Sequence, residues 1–158
     1  RSSDHHGGVL IAARNSLIGT QLDIQTNTEF TAASFDCQGH TSLVIGAIYR
    51  PPNCDQNYME ELCNKLRELQ TKHPKAITWI GGDVNLPDID WENHTIKGHN
   101  YPISMSQYFL NTVYDIGSDQ VVRFPTRGEN TLDVFLTNRP SLIEKCKAVP
   151  GGHCLYRG

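Results

Sequence analysis

The chain reads Trp79-Ile80-Gly81-Gly82-Asp83-Val84-Asn85-Leu86-Pro87 at the point where a short apolar run gives way to an acid and an amide. The run Ala76 to Ile80 (AITWI) predicts a buried strand. The two glycines let the backbone turn where a side chain would clash, and Asp83 and Asn85 occupy the exit of the strand. A carboxylate can orient or deprotonate an attacking water, and an amide can donate to a phosphate oxygen. The structural alternative is an Asx-turn, in which both side chains bond only their own backbone.

A second strand is predicted from Thr41 to Tyr49 (TSLVIGAIY), and it also ends in polar residues before two prolines. Arg50 can bind phosphate oxygens through two N–H groups at once. Tyr49 can hydrogen-bond a phosphate or stack on a sugar or base. The structural alternative is a strand-ending turn with a solvated arginine.

Asp133 lies inside the otherwise apolar run Thr131 to Thr137 (TLDVFLT), which predicts a closing strand. An unpaired buried carboxylate costs free energy, so Asp133 should have a metal, a histidine or an arginine as its partner. Arg123 and Arg127 are both near enough in sequence to be that partner. A purely structural salt bridge remains the alternative.

The other predicted elements surround these three segments. Further strands are predicted at Gly8–Ala13, Phe30–Cys37 and Lys145–Val149, and helices at Asn57–His73 and Ser104–Tyr114. Strands outnumber helices and are not regularly separated by them. This pattern argues against a doubly wound sheet and favours a mixed α/β sandwich with helices outside the strand layers.

Composition narrows the class of protein. A chain of 158 residues fits one domain, and no apolar run reaches the roughly 18 residues of a membrane span. The five cysteines form no C-x-x-C pair and no export signal is visible, so we expect free thiols in an intracellular protein that is not secreted. The formal net charge of −3 disfavours tight non-specific binding to DNA. The missing initiator Met indicates that the chain starts inside a longer reading frame.

Taken together, these segments resemble the endonuclease/exonuclease/phosphatase superfamily, and most closely the endonuclease domain of non-LTR (LINE-type) retrotransposons. The resemblance rests on the order of Gly7–Ala12 (GGVLIA), Ile48–Pro52 (IYRPP), Gly81–Asn85 (GGDVN) and Phe124–Arg127 (FPTR) followed by Thr131–Asp133 (TLD). It implies a DNase I-like, four-layer α/β sandwich with mixed, mostly antiparallel sheets. Residues 1–158 would form one such domain, without its N-terminal strand segment and part of its C-terminal end.

The resemblance also implies Mg²⁺-assisted nicking of DNA by an activated water, with Mn²⁺ as an alternative metal, in the nucleus. Asp83 would orient or deprotonate the water, Asn85 and Tyr49 would contact the scissile phosphate, and Asp133 would orient a neighbouring group. His153 would stand for the histidine that contacts the phosphate. The residues implied to bind DNA phosphates are Arg50, Arg127 and Asn130.

Two departures from the family pattern keep other functions open. The metal-binding Glu of the family is expected upstream of residue 1, and the Ser-Asp pair is absent before His153, where the chain reads Pro150-Gly151-Gly152. One alternative is a catalytically inactive remnant or binding module. Another is a phosphatase of the same fold that acts on lipid or inositol phosphates. The implied partners are DNA and a downstream reverse transcriptase domain, and no membrane.

Overall fold

A six-stranded mixed sheet forms the centre of the protein in the computed structural model, which describes residues 8–37 and 41–148. Its strands are β1 (Gly19–Leu22), β2 (Glu29–Phe35), β3 (Leu43–Tyr49), β4 (Ile77–Asp83), β7 (Asp119–Gln120) and β8 (Asp133–Thr137), in the spatial order β1-β2-β3-β4-β8-β7. Strands β5 (Ile89–Asp90) and β6 (Thr95–Ile96) pair separately as a small hairpin. Within the large sheet β3 and β4 are parallel, and the other neighbouring pairs are antiparallel.

Two helices cover one face of this sheet. Helix α1 (Gln56–Lys72) begins after Asp55, whose carboxylate accepts the N–H of Tyr58 at 2.9 Å and so caps the first turn. Helix α2 (Ile103–Asp115) lies beside α1. Because strand side chains alternate between faces, every second sheet residue packs under the helices. The shared core includes Phe30, Val44, Ile48, Ile80, Val134 and Leu136 from the sheet, and Met59, Leu62, Leu66, Phe109 and Val113 from the helices.

The opposite face of the sheet is apolar and half-buried. Leu43, Ile45, Trp79 and Phe135 lie on it, and the rings of Trp79 and Phe135 are 6.1 Å apart. The mixed α/β fold with a mostly antiparallel sheet is therefore confirmed. The described residues supply one sheet layer and one helix layer of the predicted sandwich.

The predicted elements are confirmed where their signal is strong. Both helices are present, and β2, β3 and β4 lie where apolar runs predicted strands. The prediction of a strand at Gly8–Ala13 is wrong, because this segment pairs with no strand among residues 8–37 and 41–148, and Leu10 is 79% exposed. The predicted strand at Lys145–Val149 is also wrong for residues 145–148, and Val149 lies outside the described residues.

Four short strands were not predicted, namely β1, β5, β6 and β7. They are two to four residues long and largely polar, so they leave no apolar period in the sequence. The described cysteines, Cys37, Cys54, Cys63 and Cys146, are free thiols, as expected. Within residues 8–37 and 41–148, neither helix has the length and apolar character that crossing a bilayer requires.

Candidate active site

Three of the predicted site residues stand side by side on adjacent strands. Tyr49 is the register partner of Asp83 across the parallel pair, and Asp83 is the register partner of Asp133 across the antiparallel pair. Register partners share a face of the sheet and lie roughly 5 Å apart at their Cα atoms. The three residues therefore form a row on the face opposite the helices. All three are partly exposed, so the row is open to a ligand.

Gly82 allows this row to form. It lies inside β4 with φ +155°, and a Cβ built there would come within 1.8 Å of the carbonyl oxygen of Ile48. Only glycine fits such a close approach of two backbones. Strand β4 consequently continues through both glycines to Asp83, three residues beyond the predicted end of the strand.

The carboxylate of Asp83 is held by two contacts. Its Oδ1 accepts the backbone N–H of Asn85 at 2.9 Å, which is the Asx-turn anticipated as the structural alternative. Its Oδ2 pairs with Nη2 of Arg127 at 3.0 Å. The Arg127 side chain is 63% exposed and that of Asp83 only 17%. An exposed pair of this kind contributes little stability, so an incoming anion can replace Asp83 as the partner of Arg127.

Arg127 reaches Asp83 from a tight turn that is fixed to the start of β8. The backbone N–H groups of Thr126 and Arg127 both donate to the carbonyl of Asn130, and Gly128 adopts φ +60°. The hydroxyl oxygen of Thr126 accepts the N–H of Asp133 at 3.1 Å and the N–H of the preceding residue at 3.0 Å. This turn places Arg127 and the exposed Asn130 at the edge of the row. Sequence reasoning gave Thr126 no separate role.

Asn85 follows the row in an unusual backbone conformation. Its φ is +48°, in the left-handed region, which Asn tolerates better than most residues. The residue is 8% exposed, and its side-chain amide donates to the carbonyl of Arg50 at 2.8 Å. Asn85 therefore lies next to Asp83, and its side-chain amide already donates one hydrogen bond inside the protein.

Arg50 does not lie where a phosphate-binding residue would lie. Its side chain is 0% exposed and points to the helix side of the sheet. Its Nη1 donates to the carbonyl of Asn85 at 3.0 Å, and its guanidinium carbon lies 4.4 Å from the centre of the Tyr101 ring. The predicted direct grip of Arg50 on a phosphate is thus contradicted, because residue 50 alternates to the opposite face from Tyr49.

Neither of the two arginines that were possible partners of Asp133 pairs with it. Arg127 pairs with Asp83, and Nη1 of Arg123 donates to the carbonyl of Trp91 at 2.8 Å. Asp133 itself is only partly buried, since it starts the strand at the open face. His153, predicted as a phosphate contact, lies outside the described residues.

The hydroxyl of Tyr58 hydrogen-bonds the backbone of the strand that carries Tyr49. It donates to the carbonyl of Tyr49 at 2.9 Å and accepts the N–H of Glu29 at 2.7 Å. Burial, the main cause, raises the pKa of Tyr58 to about 12, so the hydroxyl keeps its proton at neutral pH. No pattern in the sequence indicated this role, because the bond joins helix α1 to the ends of two strands.

The carboxylates of Asp83 and Asp133 are oxygen donors of the type that Mg²⁺ prefers. Within the described part of the chain, however, no three His, Cys, Asp or Glu side chains cluster so as to hold a metal ion. Asp83 is also already paired with Arg127. The described residues therefore do not complete a magnesium site.

Comparison with protein families finds a match that covers most of the chain. The family model of endonuclease–reverse transcriptase proteins matches residues 43–154. This range contains Tyr49, Asp83, Asn85, Arg127 and Asp133. A search of curated proteins returns no match.

Two solved structures are similar to this chain at low identity. The human Nocturnin catalytic domain with bound sulfate anion is 14% identical, with a TM-score of 0.42 over 78% of this chain and 48% of that one. Truncated TDP2 from Caenorhabditis elegans is 11% identical, with a TM-score of 0.34 over 76% of this chain and 51% of that one. The chain thus spans about half the length of each of these structures.

Proposed function

The chain belongs to the endonuclease–reverse transcriptase family, and on that basis we propose that it hydrolyses phosphodiester bonds in DNA as the nicking domain of a non-LTR retrotransposon. One observation carries the proposal. Tyr49, Asp83 and Asp133 form a row on an open sheet face, with Arg127 paired to the central carboxylate. A phosphate that approaches this row meets a cation, a hydroxyl and a carboxylate together.

The Arg127–Asp83 pair gives the proposed reaction its first step. A phosphate offers the guanidinium two oxygens at once, and it competes well against a single exposed contact with a carboxylate. When Arg127 turns to the phosphate, Oδ2 of Asp83 is released. That oxygen then accepts a proton from the attacking water, whose oxygen bonds to phosphorus while the bond from phosphorus to one ester oxygen breaks. The ester oxygen that leaves takes a proton from solvent.

The neighbouring residues complete the proposed site. The hydroxyl of Tyr49 donates to a phosphate oxygen beside Asp83. The side-chain amide of Asn85 keeps one hydrogen on the carbonyl of Arg50 and donates the other to the same phosphate. Asn130 contacts the adjoining phosphate from the turn that carries Arg127, and Asp133 orients the groups around Asp83. We include Mg²⁺, with Mn²⁺ as an alternative, as the metal of the reaction on the ground of the family resemblance alone. On the same ground we propose a nuclear location and a reverse transcriptase domain elsewhere in the full-length protein.

Nicking of supercoiled plasmid by the purified chain, with and without Mg²⁺, tests the proposal. We expect Asp83→Ala to lower the rate by about 100-fold or more, because loss of a general base typically costs that much. Asp119→Ala, which removes an exposed carboxylate on β7, is the matched control and should nick normally. Thermal melting of both variants shows whether the fold is retained. An Asp83→Ala variant that nicks at the normal rate would show that the site is misplaced.

A non-catalytic module that binds DNA is the second candidate. It is favoured by the lack of a three-ligand metal cluster in the described part of the chain. A folded chain that binds plasmid but never nicks it, at any Mg²⁺ concentration, would support this candidate. Phosphoinositides belong in the same assay, because release of phosphate from them without nicking of DNA would favour a phosphatase.

A further inference from the structure

Arg50 is tied to the segment that carries Asp83 and Asn85 through both its backbone and its side chain. Its N–H donates to the carbonyl of Asp83 at 2.9 Å, and its carbonyl accepts the side-chain amide of Asn85 at 2.8 Å. Its Nη1 donates to the carbonyl of Asn85 at 3.0 Å and, more weakly, to that of Val84 at 3.4 Å. The side chains of Arg50 and Asn85 therefore each donate a hydrogen bond to the backbone carbonyl of the other residue.

Within the described ranges, the charge of this guanidinium has no opposite charge beside it. It also contacts the ring of Tyr101, the sulfur of Met105, 2.7 Å from Nη2, and the thiol of Cys54, and its Nε has no hydrogen-bond partner among the described residues. Among the described residues, no carboxylate lies within ion-pair distance of it. A buried cation without a counterion is costly, and packing alone would be served as well by an apolar side chain. The position of this costly group directly behind the Asp83–Asn85 turn points to a role in that turn.

We propose that Arg50 is a positioning residue, whose buried guanidinium holds Asn85 in the left-handed conformation and so fixes the Asp83–Asn85 turn at the proposed phosphate site. This inference rests on the proposed function of the site. A non-glycine residue at φ +48° is strained, and such strain persists only where the surroundings enforce it. The bonds from Arg50 to the carbonyls of Val84 and Asn85 supply that enforcement. Without them the turn relaxes, and both side chains leave their places.

Two substitutions separate the parts of this role. Arg50→Met removes the charge and the hydrogen bonds but keeps most of the side-chain volume. Arg50→Lys keeps a charge but loses the planar fork that spans two carbonyls. The matched control is Arg67→Met, since Arg67 also lies over a tyrosine ring, 5.1 Å from that of Tyr108, yet is remote from the turn.

The first readout does not depend on catalysis. The three-bond HN–Hα coupling and the carbon shifts of Asn85, measured by NMR, report its φ angle directly. In Arg50→Met we expect the coupling and the carbon shifts of Asn85 to change from the values of a left-handed residue to those of an ordinary one. Arg50→Lys should show a smaller change of the same kind, and Arg67→Met should show none. In the same spectra, inorganic phosphate should shift the amides of residues 83–85 in the unmodified chain and less in Arg50→Met. Should Arg50→Met fail to fold, Arg50→Lys provides the same test.

The second readout is steady-state nicking. We expect Arg50→Met to lower kcat by about 100-fold, as small misplacements of catalytic groups do, while KM changes by less than about three-fold. Unchanged Asn85 signals together with normal kcat in a folded Arg50 variant would overturn the inference. A chain that never nicks DNA would refute the proposed function instead, and the Asn85 signals would still decide the role of Arg50.

Discussion

Gly82 sets the distance between the two strands that supply Tyr49 and Asp83. Any side chain at this position would meet the backbone of β3, since its Cβ would lie 1.8 Å from the carbonyl oxygen of Ile48. Gly81, its neighbour, has ordinary room, because a Cβ there would lie 3.8 Å from the ring of Phe135. The two glycines look alike in the sequence, yet only Gly82 has a positive φ angle.

We therefore predict that Gly82→Ala destabilises the fold by about 3 kcal/mol, because β4 must move away from β3 or adopt a strained backbone. Gly81→Ala should change stability by less than about 1 kcal/mol. Urea unfolding followed by circular dichroism measures both values. Equal effects of the two substitutions would show that the close approach at Gly82 is wrong.

At the scale of elements, the segment between β4 and α2 is held in place by one buried carboxylate. Asp88 is 2% exposed, and its oxygens accept the side-chain amide of Asn100 at 2.6 Å and the N–H of Tyr101 at 2.9 Å. Burial opposes the charge of this carboxylate, but these hydrogen bonds outweigh it and lower the pKa of Asp88. The ring of Tyr101 in turn lies against the guanidinium of Arg50. Asp88 therefore connects the segment between β4 and α2 to Arg50, which lies behind the Asp83–Asn85 turn.

Asp88→Asn should cost about 1–3 kcal/mol of stability at pH 7, because the amide nitrogen would replace one of the two oxygens and face the N–H donors of either Asn100 or Tyr101. The pKa of Asp88 is lower in the folded state, so its contribution is complete above the unfolded pKa of about 3.9 and is lost as the pH falls through the folded value. The difference from the unmodified chain should therefore shrink below about pH 4. Thermal melts between pH 3 and pH 7 measure it.

Asp119→Asn is the control for this prediction, since Asp119 is exposed on β7. It should melt like the unmodified chain at every pH. If the stability gap of Asp88→Asn stayed constant down to pH 3, the hydrogen bonds to Asp88 would not depend on its charge.

At the scale of the whole molecule, charge would limit the DNA binding that we propose for this chain. The chain carries 14 Lys and Arg against 17 Asp and Glu, for a formal net charge of −3. The exposed cation that the structure places directly at the row is Arg127. Binding must then rely on a few contacts at the site instead of a broad basic surface.

Affinity for duplex DNA should accordingly depend weakly on salt. If one or two phosphates are neutralised, affinity should fall only about 3- to 12-fold between 50 and 200 mM salt. Fluorescence anisotropy with a labelled duplex measures this slope, and the Asp83→Ala variant allows the measurement without cleavage. A fall of roughly a thousand-fold would indicate many phosphate contacts and contradict the prediction.

The sequence by itself determined the elements whose signal is local. The apolar spacing of α1, the runs of β2, β3 and β4, and the order of the motifs around Tyr49, Asp83 and Asp133 are read directly from neighbouring residues. Prediction from the sequence failed at Gly8–Ala13, where an apolar run has no strand partner among the described residues. It also missed the short polar strands, because they have no apolar period.

Only the tertiary structure decided which side chains meet. The register of β3, β4 and β8 places Tyr49, Asp83 and Asp133 in one row, and the same alternation turns Arg50 inward from its neighbour Tyr49. Arg127, one possible partner of Asp133, pairs with Asp83 instead, from a turn that is fixed by hydrogen bonds to the start of β8. Such contacts join residues far apart in the chain. They depend on strand pairing and on the face each residue takes, which local sequence patterns do not specify.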